Sequence, residues 1–254
     1  MSVVPDDPEG LQREFEGFAY HVISPRLKRG KVDIDSCGLI STRLSERLTA
    51  AIEQFKKEGA RIDCKARCTW CCSLRVEILP YEAIALVRFI KNKLPEIAAA
   101  LEEKILANED RIRRLTPEQH RSTNMECALL VEGKCSVYPV RPMLCAGHHS
   151  SDVVACETGF NQPDKEEDSI PEYATLVMAK AFMMTGAAEA LKVGKLKAQS
   201  VELHTALAAL MRDWANTVNA WRSGGNLVKG APDLGPTSIY DTESADSMGP
   251  KNST

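Results

Sequence analysis

Cys64-Lys-Ala-Arg-Cys68-Thr-Trp-Cys71-Cys72 places four cysteines within nine residues, and this stretch decides how the rest of the chain is read. The spacing is C-x3-C-x2-C-C. Spacings this short let successive sulfurs converge on one centre with little loop-closure entropy, and thiolate–metal bonds of about 2.3 Å would hold them there. In a reducing compartment such crowding means metal ligation or redox chemistry rather than structural disulfides. Adjacent side chains rarely point the same way in an extended or helical backbone. Cys71 and Cys72 are therefore expected either to serve different metals or to leave one of the pair free. Lys65, Arg67 and Arg75 supply positive charge that favours thiolates over thiols.

Four more cysteines, Cys127, Cys135, Cys145 and Cys156, lie in residues 124–160, where Gly133, Pro139, Pro142, Gly147 and Gly159 interrupt any helical rhythm. Loops of this kind can wrap a metal because ligation replaces the core they lack. Eight sulfurs could form two tetrahedral zinc sites, one four-iron cluster with one zinc, or one site with spare thiols. His148 and His149 follow Cys145 closely enough to complete a mixed site, whereas His21, His120 and His204 read as satisfied surface or core residues. Cys37 has no cysteine neighbour and reads as a small buried hydrophobe. Arg141, kept extended by Pro142, can donate charge-assisted hydrogen bonds to cluster sulfurs or to an anionic ligand; the competing reading is a structural salt bridge.

Away from the cysteines the periodicity is helical. Leu11, Phe15 and Phe18 mark a first amphipathic segment, and Ser41 is expected to cap a helix over 42–57. Pro80 suits the first position of a helix over 80–115, which Pro95 bends or restarts. Further helices are expected over 171–191 and 198–221, the latter with an apolar stripe of Leu203, Leu207, Leu210, Trp214 and Trp221 that reads as core. Residues 1–10 and 223–254 are expected to be disordered, and 161–169 to be a linker. The fold expected is mainly α: one helical domain over 11–222 around a loop-built, cysteine-rich metal centre, with metal loops at 60–76 and 124–160.

Composition narrows the function. In 254 residues, Lys+Arg 32 against Asp+Glu 35 gives a net charge of −3, which lacks the positive field that drives non-specific nucleic-acid binding. No uncharged run approaches the roughly 18 residues needed to span a bilayer, and the N-terminus lacks a secretory pattern. These features imply a metal ion as partner, with no nucleic acid and no membrane, in the cytoplasm. No catalytic triad, phosphate loop or paired-carboxylate signature stands out.

With both clusters in view, the chain resembles the YkgJ-type cysteine-cluster family named for its CxxCxxCC signature, a zinc- or iron-chelating domain. The residues that carry the resemblance are Cys64, Cys68, Cys71 and Cys72, then Cys127-Ala-Leu-Leu, Gly133-Lys-Cys135, Val137-Tyr138, Arg141-Pro142 and Cys145. The stretch ending in Cys156-Glu157 and the later Glu202-Leu203-His204-Thr205-Ala206-Leu207 also look like one branch of it, so the resemblance covers about residues 60–222. Ala146 departs from the pattern, which has Arg directly after this cysteine. The resemblance implies a cysteine-ligated protein carrying an iron–sulfur cluster or zinc. Two alternatives stand beside it. One is an S-adenosylmethionine-dependent enzyme, since the signature is shared with flagellin lysine N-methylases and C-x3-C-x2-C with Trp70 before the third cysteine matches the radical-SAM pattern. The other is a thiol-based redox or metal-handling module.

Overall fold

A computed structural model describes residues 4–29, 31–162 and 170–233. The chain is mainly helical, as expected from its periodicity. Helix α1 (Pro8–Ile23) begins inside the stretch expected to be disordered, because the Asp7 side chain accepts a hydrogen bond from the Gly10 N–H at 2.6 Å and Pro8 presets the first turn. It buries Leu11, Phe15, Ala19 and Ile23, four residues apart. This face lies against α8 (Ala174–Val193), and no helix pair in the fold is more extensive. The backbones touch at Gly186, where a Cβ would run into the Glu16 carbonyl oxygen.

Helix α2 (Ser36–Lys57) starts earlier than the sequence suggests. Asp33 accepts from the Ser36 hydroxyl at 2.7 Å and from the Asp35 N–H at 2.9 Å, so its turn launches the helix and leaves Ser41 buried inside it rather than capping it. The expected 80–115 helix is two helices, α3 (Pro80–Lys93) and α4 (Ala98–Ile112), separated where Pro95 has no N–H to continue the ladder. Helix α3 is the central element, burying Tyr81, Ala83, Ile84, Leu86, Val87 and Ile90. A short α5 (Pro117–Arg121) follows.

The expected 198–221 helix also differs. Residues Val201–Glu202 form strand β4, which pairs antiparallel with β1 (Glu77–Ile78) in the register Glu77↔Glu202. Asp213 then divides the rest into α9 (Leu203–Arg212) and α10 (Trp214–Arg222), its side chain accepting from the Asn216 N–H at 3.2 Å. Leu203, Leu207, Leu210 and Trp221 are core as predicted, while Trp214 is only half-buried. Residues 223–233 are packed rather than loose: Leu227 is buried, and Gln199 bonds to Val228 and Ala231 at 3.1 Å. The rest of the expected tail, 234–254, and most of the expected linker, 163–169, lie outside the described residues.

The other strands, β2 (Leu130–Val131) and β3 (Lys134–Cys135), form a hairpin whose turn residues Glu132 and Gly133 both have positive φ, 50° and 71°. Helices α6 (Met143–Gly147) and α7 (Val153–Asn161) complete the chain. Among the described residues every strand is two residues long, so the strand–helix series that a radical-SAM core needs is not there. Helix α8 is long and apolar enough by composition to cross a bilayer, but 56% of its apolar window is buried inside the fold.

Candidate metal centre

The first cysteine stretch is an irregular loop ending in the 3-10 turn Trp70–Ser73, which carries Cys71 and Cys72. Arg67 takes a positive φ of 69° between Cys64 and Cys68. The second set is spread over four short elements: Cys127 precedes β2, Cys135 ends β3, Cys145 lies in α6 and Cys156 in α7. Two sets of bonds bring these stretches together. The Cys127 N–H donates to the Cys72 carbonyl at 2.8 Å, and the Met125 N–H to the Ser73 carbonyl at 3.1 Å. At the other end the Asp63 N–H donates to the Ser150 carbonyl at 2.9 Å, and the Val153 N–H to the Asp63 carboxylate at 3.2 Å. Trp70 packs on Phe160 of α7, ring centres 5.2 Å apart.

All nine cysteines are free thiols. Seven of the eight clustered thiols fall into two electrostatic neighbourhoods, and Cys71 lies at their boundary. Cys64 feels the charges of Cys68 and Cys156, and Cys156 feels Cys68. Cys127 feels Cys135 and Cys72, Cys135 feels Cys72, and Cys145 feels all three. Cys71 lies between, in contact with Cys72 and sensing Cys145 and Cys64. Among the described residues, no three Cys, His, Asp or Glu side chains are drawn tightly enough together to hold an ion as they stand. The thiols are thus neighbours whose sulfurs must still turn inward to share a cation. Their chemistry fits the task, since thiolates are the preferred ligands of zinc and of iron–sulfur clusters.

Burial pushes the Cys127 thiol up to about 12, although the Leu129 N–H bonded to it pulls the other way. Burial likewise raises Cys64, Cys135 and Cys156. Cys145 has an exposed surface, yet it is ringed by protein; that crowding, then the neighbouring thiols, raise it as well. Cys72 alone is lowered, by a hydrogen bond from the Cys71 thiol, which is raised in turn. The raised thiols hold their protons more tightly than a free cysteine does, and a bound cation would have to displace those protons.

Arg141 stands 3.7 Å over the Tyr138 ring and donates to Thr49 Oγ1 at 2.8 Å and to the Tyr138 carbonyl at 3.3 Å. Its bonds go to these groups rather than to a sulfur, but its charge eases ionisation of Cys135. Arg75, expected to serve the thiolates, pairs instead with Glu77 at 2.9 Å. Lys56, which sequence reasoning did not single out, lends its charge to Cys64. His149 is fully buried and accepts the Tyr173 N–H on Nε2 at 2.8 Å, while His148 Nδ1 lies 3.5 Å from Glu172. Burial lowers the pKa of both histidines. Cys37 sits in the core, where burial pushes its thiol up to about 12. Sequence reasoning also missed Glu82, a buried carboxylate that accepts from the Leu79 and Met143 N–H groups, each at 2.8 Å. Its place in the first turn of a helix that Pro80 opens was the available signal.

Residues 63–171 match the model of the CxxCxxCC family, whose description reads "Putative zinc- or iron-chelating domain". This stretch is similar to the CxxCxxCC domain. The matched span contains all eight clustered cysteines, and the match supports a metal-binding role for it. No curated protein and no solved structure matches the chain.

Proposed function

We propose that the CxxCxxCC domain of this chain is a two-centre thiolate metal site. Cys64, Cys68, Cys71 and Cys156 form one centre, and Cys72, Cys127, Cys135 and Cys145 the other, with zinc or iron, the latter also as an iron–sulfur cluster, as the bound metal. The observation that carries this reading is the division of seven thiols into two neighbourhoods, with Cys71 at the boundary left to complete the smaller one. The Cys71 and Cys72 thiols touch at that boundary, and assigning one to each side gives each centre the four sulfurs that a closed tetrahedral site uses. Lys56 and Arg141 offset part of the charge of eight thiolates, each beside a different centre. Arg141 is a charge neighbour of the second centre rather than a ligand. Nine free thiols also favour a reducing compartment, the cytoplasm, as the place where the chain works.

Anaerobic purification followed by metal and acid-labile sulfide analysis tests the proposal. Zinc or iron bound tightly to the protein is expected; sulfide with a brown colour identifies an iron–sulfur centre, and its absence a mononuclear one. Protein that retains neither metal after reconstitution would overturn the reading.

A further inference from the structure

The two peptide groups that flank Cys127 are held by three hydrogen bonds from partners remote in sequence. The Glu126 carbonyl accepts from Asn108 Nδ2 of α4 at 2.9 Å. The Cys127 N–H donates to the Cys72 carbonyl at 2.8 Å. The Ala128 N–H donates to His204 Nε2 of α9 at 3.2 Å, and Asn108 Nδ2 lies 3.3 Å from the same nitrogen. Because Nε2 accepts, the imidazole proton sits on Nδ1, which faces Glu202 Oε1 at 2.9 Å. The other oxygen of Glu202 accepts from the Thr205 N–H at 2.7 Å and so caps α9. Glu202 and His204 are both buried, and Glu202 lies opposite Glu77 in the β1–β4 pair.

The supports are rigid where the supported segment is not. Residues 122–129 form no helix or strand of their own, whereas α4 and α9 pack on each other. A cysteine in a free loop must lose backbone entropy to reach a metal; one whose flanking peptide groups are already fixed has lost it on folding. The bonds leave one orientation for the 126–128 segment, the one that sets Cys127 beside Cys72.

We propose that His204 and Asn108 are positioning residues of the Cys72/Cys127/Cys135/Cys145 centre, with Glu202 fixing the imidazole tautomer, so that the chain beyond the matched span 63–171 governs how tightly that centre binds its ion. The inference rests on the two-centre reading given above.

The test compares the full chain with His204→Ala, His204→Gln and Asn108→Ala. Zinc alone is the probe, titrated under reducing anaerobic conditions against a chromophoric chelator, and the thermal midpoint of each metal-free protein is recorded in parallel. In His204→Ala and Asn108→Ala one zinc ion is expected to bind about 10- to 100-fold more weakly while the other is unchanged. His204→Gln, whose amide oxygen can accept the Ala128 N–H, should recover part of the loss. Asn108→Ala keeps a good helix former at a half-buried position of α4, so it remains informative where His204→Ala does not fold. Unchanged affinity for both ions in Asn108→Ala would overturn the positioning role alone. So would an equal weakening of both ions that tracks a lower metal-free midpoint. A parent chain that binds no zinc overturns the positioning role, and one that also retains no iron after anaerobic reconstitution overturns the two-centre reading itself.

Discussion

Glu82 shows how one residue ties the helical frame to the cysteine loops. It stands in the first turn of α3, and its two carboxylate oxygens take the N–H groups of Leu79 and of Met143, the residue that opens the helix bearing Cys145. Burial holds its carboxyl up to about 7, above the ordinary 4.5. The folded state therefore binds this proton more tightly than the unfolded chain does. The stability it contributes is fully present below about pH 4.5 and is lost as pH rises through about 7, a change of about 3 kcal/mol. Glu82→Gln cannot offer two acceptor oxygens. The variant is expected to be less stable than the parent by about 1–3 kcal/mol at pH 5, and the gap should narrow by about 3 kcal/mol, or reverse, by pH 8. Urea unfolding of the metal-free proteins at both pH values checks this, and a gap independent of pH would contradict it. Residue types were legible in the sequence here, and partners were not. The cysteines and the core role of Cys37 could be read directly. The bonds from Glu82 to Met143 and from Ala128 to His204 span 61 and 76 residues, distances over which spacing rules say nothing.

At the level of elements, periodicity located the helices and local turn chemistry set their ends. The Leu11–Phe15 pattern found α1, but the cap at Asp7 lay in a stretch that reads as merely polar. Ser41 is a good cap by type, yet Asp33 captures the chain first and the helix runs through Ser41. Pro95 forced a visible break, whereas Asp213 broke an apolar stripe by capping α10, a role that its lone polar position only hints at. The contact of α1 with α8 depends on an absent side chain. Gly186→Ala puts a methyl group against the Glu16 carbonyl, which belongs to the helix backbone and cannot swing aside. We expect a loss of about 1–3 kcal/mol or more, read as a lower denaturation midpoint, with α1 separating from α8 first in hydrogen exchange. An unchanged midpoint would show that the two helices slide apart at little cost.

Across the whole molecule, the matched span 63–171 is framed by helices from both sides of it in the chain. Thr49 of α2 holds Arg141, and His204 of α9 holds the segment around Cys127, although neither lies within residues 63–171. The mainly helical frame was legible because apolar residues recur at helical steps. The grouping of the thiols into two neighbourhoods was not, because it depends on how the loops 60–76 and 124–160 cross, which the bonds Cys127–Cys72 and Asp63–Ser150 determine. The most direct measurement of the account is the number of metal ions bound per chain in the parent, in Cys156→Ser and in Cys135→Ser, each reconstituted anaerobically. Two independent centres predict that each variant loses one centre and keeps the other, so that together they account for all the metal of the parent. If either substitution removes every metal ion, or if both remove the same one, the two-centre account is contradicted.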